Sequence, residues 1–404
     1  MALNLQLDGP EYIARTQQDF VLPDLDVNLL RAAVPKEAFE KSTFKALRAI
    51  IHIPVLSVLL VILIHRFDHK FGHNAFDTSS TIIAWSGWVL YWIAQSILWA
   101  GVWTIGHEAT HNNLSDLVWV NSAIGMVCNS FIFVPYFSWR ITHLRHHRAT
   151  GSMESEEVYV PYVRSDFNLP PPHKATKEEL AEAFEESPIY CFLRLLVMQF
   201  LGYHTYFTFN TMGSKRYPPG SNHWNPFSGL FSKDQHAQVI ASDIGIFTMA
   251  SLLGLWAYRS GFAEVAKIYL IPFAITNHWV VAMTFLQHSC STIPHYRGDA
   301  WTRARGALAT VDRPFLGPVD KLVLMGVNTY HTTHHLFSSI PFYNLPQAHE
   351  AVRPLLGDMY NYDSSWILWA LWRTFNECVF VEDEGEVVFY KDKHGIPRRK
   401  VKSS

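Results

Sequence analysis

A chain of 404 residues with a net charge of −2 lacks the concentrated positive charge that nucleic-acid binding favours. Charged residues make up only 17% of it, against about 25% in an ordinary globular domain. The 14 Trp and 27 Phe point to contact with lipid or an apolar ligand. The four cysteines, Cys128, Cys191, Cys290 and Cys378, are far apart with no C-x-x-C, which reads as reduced structural thiols and not a disulfide framework.

Residues 1–45 mix charges with short apolar runs and contain Pro10, Pro23 and Pro35. No basic region precedes an apolar one there, so no cleavable signal peptide is evident. The stretch reads as a cytosolic arm, partly helical over 27–45, with a membrane-surface helix as its alternative. Residues 46–65 are almost wholly apolar, and a spanning helix needs about 20 such residues. Pro54 is tolerable inside one. Residues 82–105 form a second apolar run, rich in Trp, and the short polar linker 66–81 makes the two a helical hairpin. Residues 106–113 read G-H-E-A-T-H-N-N and follow directly, so their histidines belong at the membrane face. The run 117–134 is apolar but carries Asn121, Ser122, Asn129 and Ser130, which predicts a half-buried or re-entrant segment. Residues 151–188 are charged and contain Pro170, Pro171 and Pro172, the mark of a solvent-exposed insertion. Residues 189–209 are aromatic and amphipathic and are expected along the interface.

Residues 239–258 and 265–287 make a second apolar hairpin around the very short turn 259–264. After His288 no apolar run is long enough to cross, 366–375 being too short. Four spans put both termini and the histidine-rich segments on one side. Most Lys and Arg lie on that side, which the positive-inside rule makes cytosolic. The expected organisation is therefore an arm (1–45), a membrane domain (46–375) and a cytosolic tail (376–404). Lys400 and Lys402 in the final R-R-K-V-K-S-S resemble a dilysine-type signal of endoplasmic-reticulum membrane proteins, and a frayed basic end is the alternative.

Histidine carries the chemistry. The chain has 21, with dense clusters at His107 and His111, at His143, His146 and His147, and at His331, His334 and His335. On a helix, spacings of three and four residues put imidazoles on one face. H-E-x-x-H alone also fits a zinc metalloprotease with Glu108 as general base. A catalytic zinc takes three protein ligands, so eight clustered histidines instead suit two metal ions held together. Imidazole alone accommodates iron, copper, nickel or zinc. Clusters at the ends of apolar helices, where a long apolar substrate can slide between spans, favour iron that activates O2 against an unactivated C–H bond.

The boxes H-E-A-T-H, H-L-R-H-H and H-T-T-H-H resemble those of the membrane-bound fatty acid desaturases, most closely the Δ12/ω-6 oleate desaturase group. V-P-Y-F-S-W-R-I-T-H-L-R-H-H-R-A-T-G (134–151), F-L-Q-H (285–288), I-P-H-Y (293–296), R-G-A-L-A-T-V-D-R (305–313) and H-H-L-F-S-S-I-P-F-Y (334–343) extend the likeness over roughly 103–343. The resemblance implies an all-α polytopic protein with four transmembrane helices in two hairpins and a cytosolic histidine-rich diiron cap. It implies two iron ions, O2 as co-substrate, two electrons per turnover and removal of two hydrogens from adjacent methylenes of a lipid- or CoA-linked acyl chain. It carries over His107, His111, His143, His146, His147, His331, His334 and His335 as ligands, with His288 of F-L-Q-H as the ligand outside the boxes. Glu108, Glu154, Asp312 and Asn328 lie near the boxes in sequence as candidates to orient ligand rings, with no pairs assigned. His295 and His223 are expected to be structural, and His278 a buried polar partner inside the last span. No cytochrome b5-like H-P-G-G segment is present, so cytochrome b5 and its NADH-dependent reductase are the expected separate donors, in the endoplasmic reticulum membrane.

Two departures stand out. The group's first box usually reads H-E-C-G-H, where this chain has Ala109 and Thr110. Its third box usually follows Asp-Thr or Glu-Thr, where this chain has Thr329 and Tyr330. Relatives in the group act as hydroxylases, acetylenases or conjugases, and these are the alternatives to Δ12 desaturation. An intramembrane zinc metalloprotease and a histidine-rich metal transporter compete from outside the family.

Overall fold

The computed structural model describes residues 7–72, 78–184 and 187–402. The middle of the 66–81 linker, His73 included, lies outside the described residues, as do the first six and the last two residues of the chain.

Four helices are long and apolar enough to cross a membrane: Thr43–Phe71, Thr78–Thr110, Lys233–Ser260 and Phe262–His288. Each contains one of the four runs expected from hydropathy. The first and third are bare: Val58, Leu59 and Leu63 on one, and Ile244, Phe247 and Leu252 on the other, stand exposed. A helix apolar on its outer surface is stable where its solvent is lipid. The second and fourth are the inner pair and pack on each other.

The second span has 33 residues, about 50 Å at the α-helical rise, against a hydrocarbon core of about 30 Å. Its exposed apolar residues, Ile82, Ile83, Trp85, Val89, Leu90 and Ile93, all lie in its first half. From Gln95 onward most of its side chains are buried in protein. The excess length therefore lifts His107 out of the lipid-facing zone and into a protein interior.

Gly261 stops the third span at φ +88, a conformation that L side chains rarely adopt, and the fourth starts at the next residue. One turn of the fourth span, Ala266–Leu270, is π-helical. Such a turn loosens the carbonyl ladder. Here Tyr91 Oη and Trp92 Nε1 of the second span donate to the Ile268 and Lys267 carbonyls at 2.9 and 2.8 Å.

The re-entrant expectation for 117–134 meets a bent helix pair. Val118–Phe131 and Tyr136–Ala149 are turned 107° from each other. At 14 residues the first piece is about 21 Å long, too short to cross. Buried Asn121 accepts from Leu114 N at 3.0 Å and donates to the Ser115 carbonyl at 2.7 Å, closing the loop before it. The helix Pro188–Phe209 buries Cys191, Leu195, Gln199, Tyr203 and Phe207 at a spacing of four, against the fourth span. Ile189, Leu193, Val197 and Leu201 stay exposed on its other face.

The ends of the chain are packed into the body that carries the histidines. Tyr12 of the helix Pro10–Thr16 is buried among Cys290, Ile293 and Val311. Its hydroxyl donates to Glu377 Oε2 at 2.6 Å. Strand Val387–Phe389 pairs antiparallel with Pro294–Tyr296, just past the fourth span. Phe20 and the basic C-terminal stretch exchange backbone hydrogen bonds, Phe20 N to the Lys400 carbonyl at 2.7 Å and Lys402 N to the Phe20 carbonyl at 2.8 Å. Through Lys402 the chain is therefore paired and not frayed.

Candidate metal centre

Each histidine cluster arrives on a rigid element. His107 ends the second span and His111 follows it by one residue. His143, His146 and His147 ride the helix Tyr136–Ala149. His331, His334 and His335 occupy a helix of six residues, His331–Leu336. His288 is the last residue of the fourth span. Gly106 permits the helix Val118–Phe131 to approach the second span closely, since a Cβ there would sit 1.7 Å from Asn129 Oδ1.

The rings converge in two groups. His107, His111, His143, His147 and His334 form one; His146, His288 and His335 form the other, with ligand atoms in each group within 4.8 Å of one another. His331 joins the second group through a 3.0 Å contact between its Nε2 and that of His288. All nine histidines singled out in the sequence therefore meet. The two groups touch where the rings of His147 and His335 stack at 4.1 Å.

The ring nitrogens fit cations. His143 Nε2 faces His111 Nε2 at 3.0 Å and His147 Nε2 at 3.1 Å; His146 Nε2 faces His288 Nε2 at 3.3 Å. Neutral imidazole carries one N–H and one lone pair, so His143 Nε2 cannot satisfy two such neighbours by hydrogen bonding alone. Both nitrogens of His334 and Nε2 of His335 are buried without any hydrogen-bond partner. Ligand atoms each about 2.0–2.1 Å from one ion stand about 3–3.4 Å apart, as these do. Burial first, and then the neighbouring imidazoles, hold His111, His143, His147, His331, His334 and His335 well below the usual histidine pKa. The rings are kept neutral, the form that ligates a metal.

Neighbouring groups set the tautomers. Glu156, buried, accepts from His146 Nδ1 at 2.7 Å, and Gly151 N and Glu157 N donate to the same carboxylate. His146 Nε2 is thereby left with its lone pair toward His288. Thr150 Oγ1 donates to the His146 carbonyl at 2.7 Å and so accepts from His335 Nδ1 at 3.1 Å, which frees His335 Nε2. Glu156 stands where Glu154 was expected; Glu154 is exposed and accepts only from Ser152 Oγ at 3.3 Å. Three acidic residues occur at 154, 156 and 157, and nothing in that spacing singles out Glu156. Glu108 Oε1 lies 3.2 Å from His107 Nδ1, yet that nitrogen has no hydrogen bond of acceptable angle. We read the contact as proximity, because the Glu108 carboxylate is held by Asn113, whose amide also donates to the Ser338 and Ile340 carbonyls. Asp312 and Asn328 bond none of the nine clustered rings. Asp312 accepts from Thr332 N at 2.7 Å and from Tyr360 Oη at 2.8 Å, and Asn328 joins Gln287 and Asp320.

Other histidines stand apart. His223 bonds Thr142 Oγ1 at 3.1 Å, His278 Nδ1 bonds Gln199 Oε1 at 3.0 Å, and buried His295 lies against the Tyr390 ring.

A cavity of about 1080 Å³ reaches both groups, with His107, His143, His146, His288 and His331 in its wall. The rest of the wall is mostly apolar and aromatic, from the helix Pro188–Phe209, the fourth span and the helix Ile367–Glu377. Trp103 and Trp139 flank the histidines there, stacked on His107 and His143 at 5.5 and 4.7 Å. Glu108, Ala109, Thr110, Thr329 and Tyr330 do not line it. Ala109 is wholly buried and Thr110 Oγ1 donates to the His107 carbonyl at 2.6 Å, so the departures from the usual boxes face packing and not the cavity.

A histidine cluster that could hold metal ions, opening onto a mostly apolar cavity on four membrane-length helices, defines a candidate metal centre in a multi-pass membrane protein. The sequence model for "Fatty acid desaturase" matches residues 83–366, and the chain belongs to that family. It is 36% identical over 386 residues to a Delta(12) fatty acid desaturase of Mortierella isabellina, covering 93% of this chain and 92% of that one. It is 34% identical to a Delta(12) fatty acid desaturase of Calendula officinalis, covering 94% and 92%. An oleoyl-12-hydroxylase of Ricinus communis is 33% identical, again over 94% and 92%. The likeness to the Δ12/ω-6 group is thus shown, and the protein is a multi-pass membrane oxidoreductase of the desaturase kind.

Proposed function

We propose that the chain is an O2-dependent Δ12-type fatty acyl desaturase that holds two iron ions through His107, His111, His143, His146, His147, His288, His331, His334 and His335. The observation that carries this reading is the pair of imidazole groups, with unpartnered ring nitrogens, in the wall of an apolar cavity. Bound there, iron would supply the O2 activation that an unactivated C–H bond requires. The reaction takes two hydrogens from adjacent methylenes and, with two electrons and two protons, reduces O2 to two waters. The chain's own residues line the acyl path with mostly apolar walls and orient the rings, His146 through Glu156 and His335 through Thr150.

In the same reading the four spans form two hairpins, residues 46–375 are the membrane domain, and the histidines lie in a cytosolic cap flanked by the arm 1–45 and the tail 376–404. The protein resides in the endoplasmic reticulum and takes electrons from cytochrome b5 and its NADH-dependent reductase. The hydroxylase relative at 33% identity keeps 12-hydroxylation as the second reading.

Expression in a host that makes no polyunsaturated lipids, followed by gas chromatography–mass spectrometry, tests this. A new double bond or a hydroxyl at the 12 position distinguishes the two readings. Metal analysis should return about two irons per chain, and His334→Ala should abolish the product. One zinc per chain with full activity in His334→Ala would sink the diiron reading and favour a protease.

A further inference from the structure

Tyr159 is the bulky residue whose backbone is least comfortable beside the histidines. Its φ is +56, a region that aromatic L residues rarely occupy and that collects at functional sites. The surrounding chain holds it there from both sides. Val158 bridges to Gly213, Val160 N donates to the Met212 carbonyl at 3.2 Å, and Ser214 N donates to the Glu157 carbonyl at 3.3 Å.

The conformation turns the ring into the cavity. It lies nearly parallel to the His288 ring, 13° off at 6.1 Å, and beside Phe285 at 5.9 Å. Its hydroxyl meets Thr284 Oγ1 at 2.7 Å. Thr284 already donates to the Val280 carbonyl at 2.9 Å, so Tyr159 is the donor. Tyr159, Thr284, Phe285 and His288 all line the cavity. One end of the ring is thus pinned to the fourth span, one turn before His288, and its face runs nearly parallel to the His288 ring.

We propose that Tyr159 is a specificity-determining residue: its ring, locked by Thr284, is the wall that sets which carbons of the acyl chain stop beside the His288 group. This rests on the reading of the cavity as the acyl site. Release of the hydroxyl lets the ring swing about its own axis and shifts the chain along the wall, and a small displacement suffices to present a different methylene.

The test uses the full chain in the same host, comparing native, Tyr159→Phe, Thr284→Val and the double variant. The ratio of double-bond positions, or of desaturated to hydroxylated product, is read by mass spectrometry, alongside iron content. Each single variant should change that ratio about 2- to 10-fold, the size a lost neutral hydrogen bond accounts for, with iron per chain unchanged. The double variant should shift no further than either single one, because both remove one interaction. Native product ratios in both single variants, or fully additive shifts, would overturn the proposal. If Tyr159→Phe fails to accumulate, Thr284→Val, which keeps the ring, decides it. A native chain that makes no acyl product at all would instead overturn the desaturase reading beneath it.

Discussion

Glu156 shows how one carboxylate outside the boxes governs a ligand. It binds the far nitrogen of His146 at 2.7 Å and is itself held by two backbone N–H groups, so the ring can neither rotate nor change tautomer freely. Loss of such a partner typically weakens metal affinity about 10- to 100-fold. Glu156→Gln should therefore lower iron retained after dialysis against a chelator by about that factor, while Glu154→Gln, at an exposed position, should leave retention at the native level. Equal losses in both variants would mean that the charge of the segment matters and not the contact with His146.

At the scale of elements, the third-box helix is the weakest support. Six residues cannot hold a helix alone, since isolated helices below about 12 residues are marginal in water. Asp312 substitutes for the missing turns by accepting Thr332 N, while Tyr360 clamps its other oxygen. In Asp312→Ala a buried N–H loses its partner, which costs about 1–3 kcal/mol. Thermal unfolding followed by tryptophan fluorescence should show that loss, and product formation should fall more than the yield of protein, because His331, His334 and His335 move together. The other ligand helices lack this weakness: the second span carries His107 on 33 residues, braced by the first and fourth spans.

Across the whole molecule, a buried ion network locks the ends of the chain over the site. Asp363 takes Arg313 Nη1 at 2.5 Å and Arg373 Nη2 at 2.7 Å, and Arg373 also pairs with Asp8. Burial alone would raise the Asp363 pKa; Arg313 and Arg373 outweigh it and hold the carboxyl well below its ordinary 3.8. The folded value is the lower one, so this contribution is present above about pH 4 and is lost as pH falls below it. Asp363→Asn leaves buried Arg313 without a countercharge and Arg373 with Asp8 alone, a loss of about 3–5 kcal/mol. Its melting temperature at pH 7 should drop accordingly, and its further decline between pH 5 and pH 3 should be shallower than the native protein's. A parallel decline in both would show that Asp363 does not carry the acid dependence.

The sequence by itself determined the membrane-length helices and the histidines that cluster. Lipid demands long uninterrupted apolar runs, and metal ligation demands His at helical spacings, so both are written locally. The four runs and the nine histidines could therefore be named before any fold was known. What tertiary structure alone decided are relations between distant segments. The partition of the rings into groups of five and three, with His331 joined through His288, depends on how four elements cross. The choice of Glu156 over Glu154 depends on the turn after the second box, where one of three nearby carboxylates is folded inward. That the first-box pair Ala109-Thr110 packs in the core and does not line the cavity is likewise a tertiary fact. Tyr159, which no spacing marks, was carried to the wall beside His288 by a backbone conformation that only its neighbours sustain.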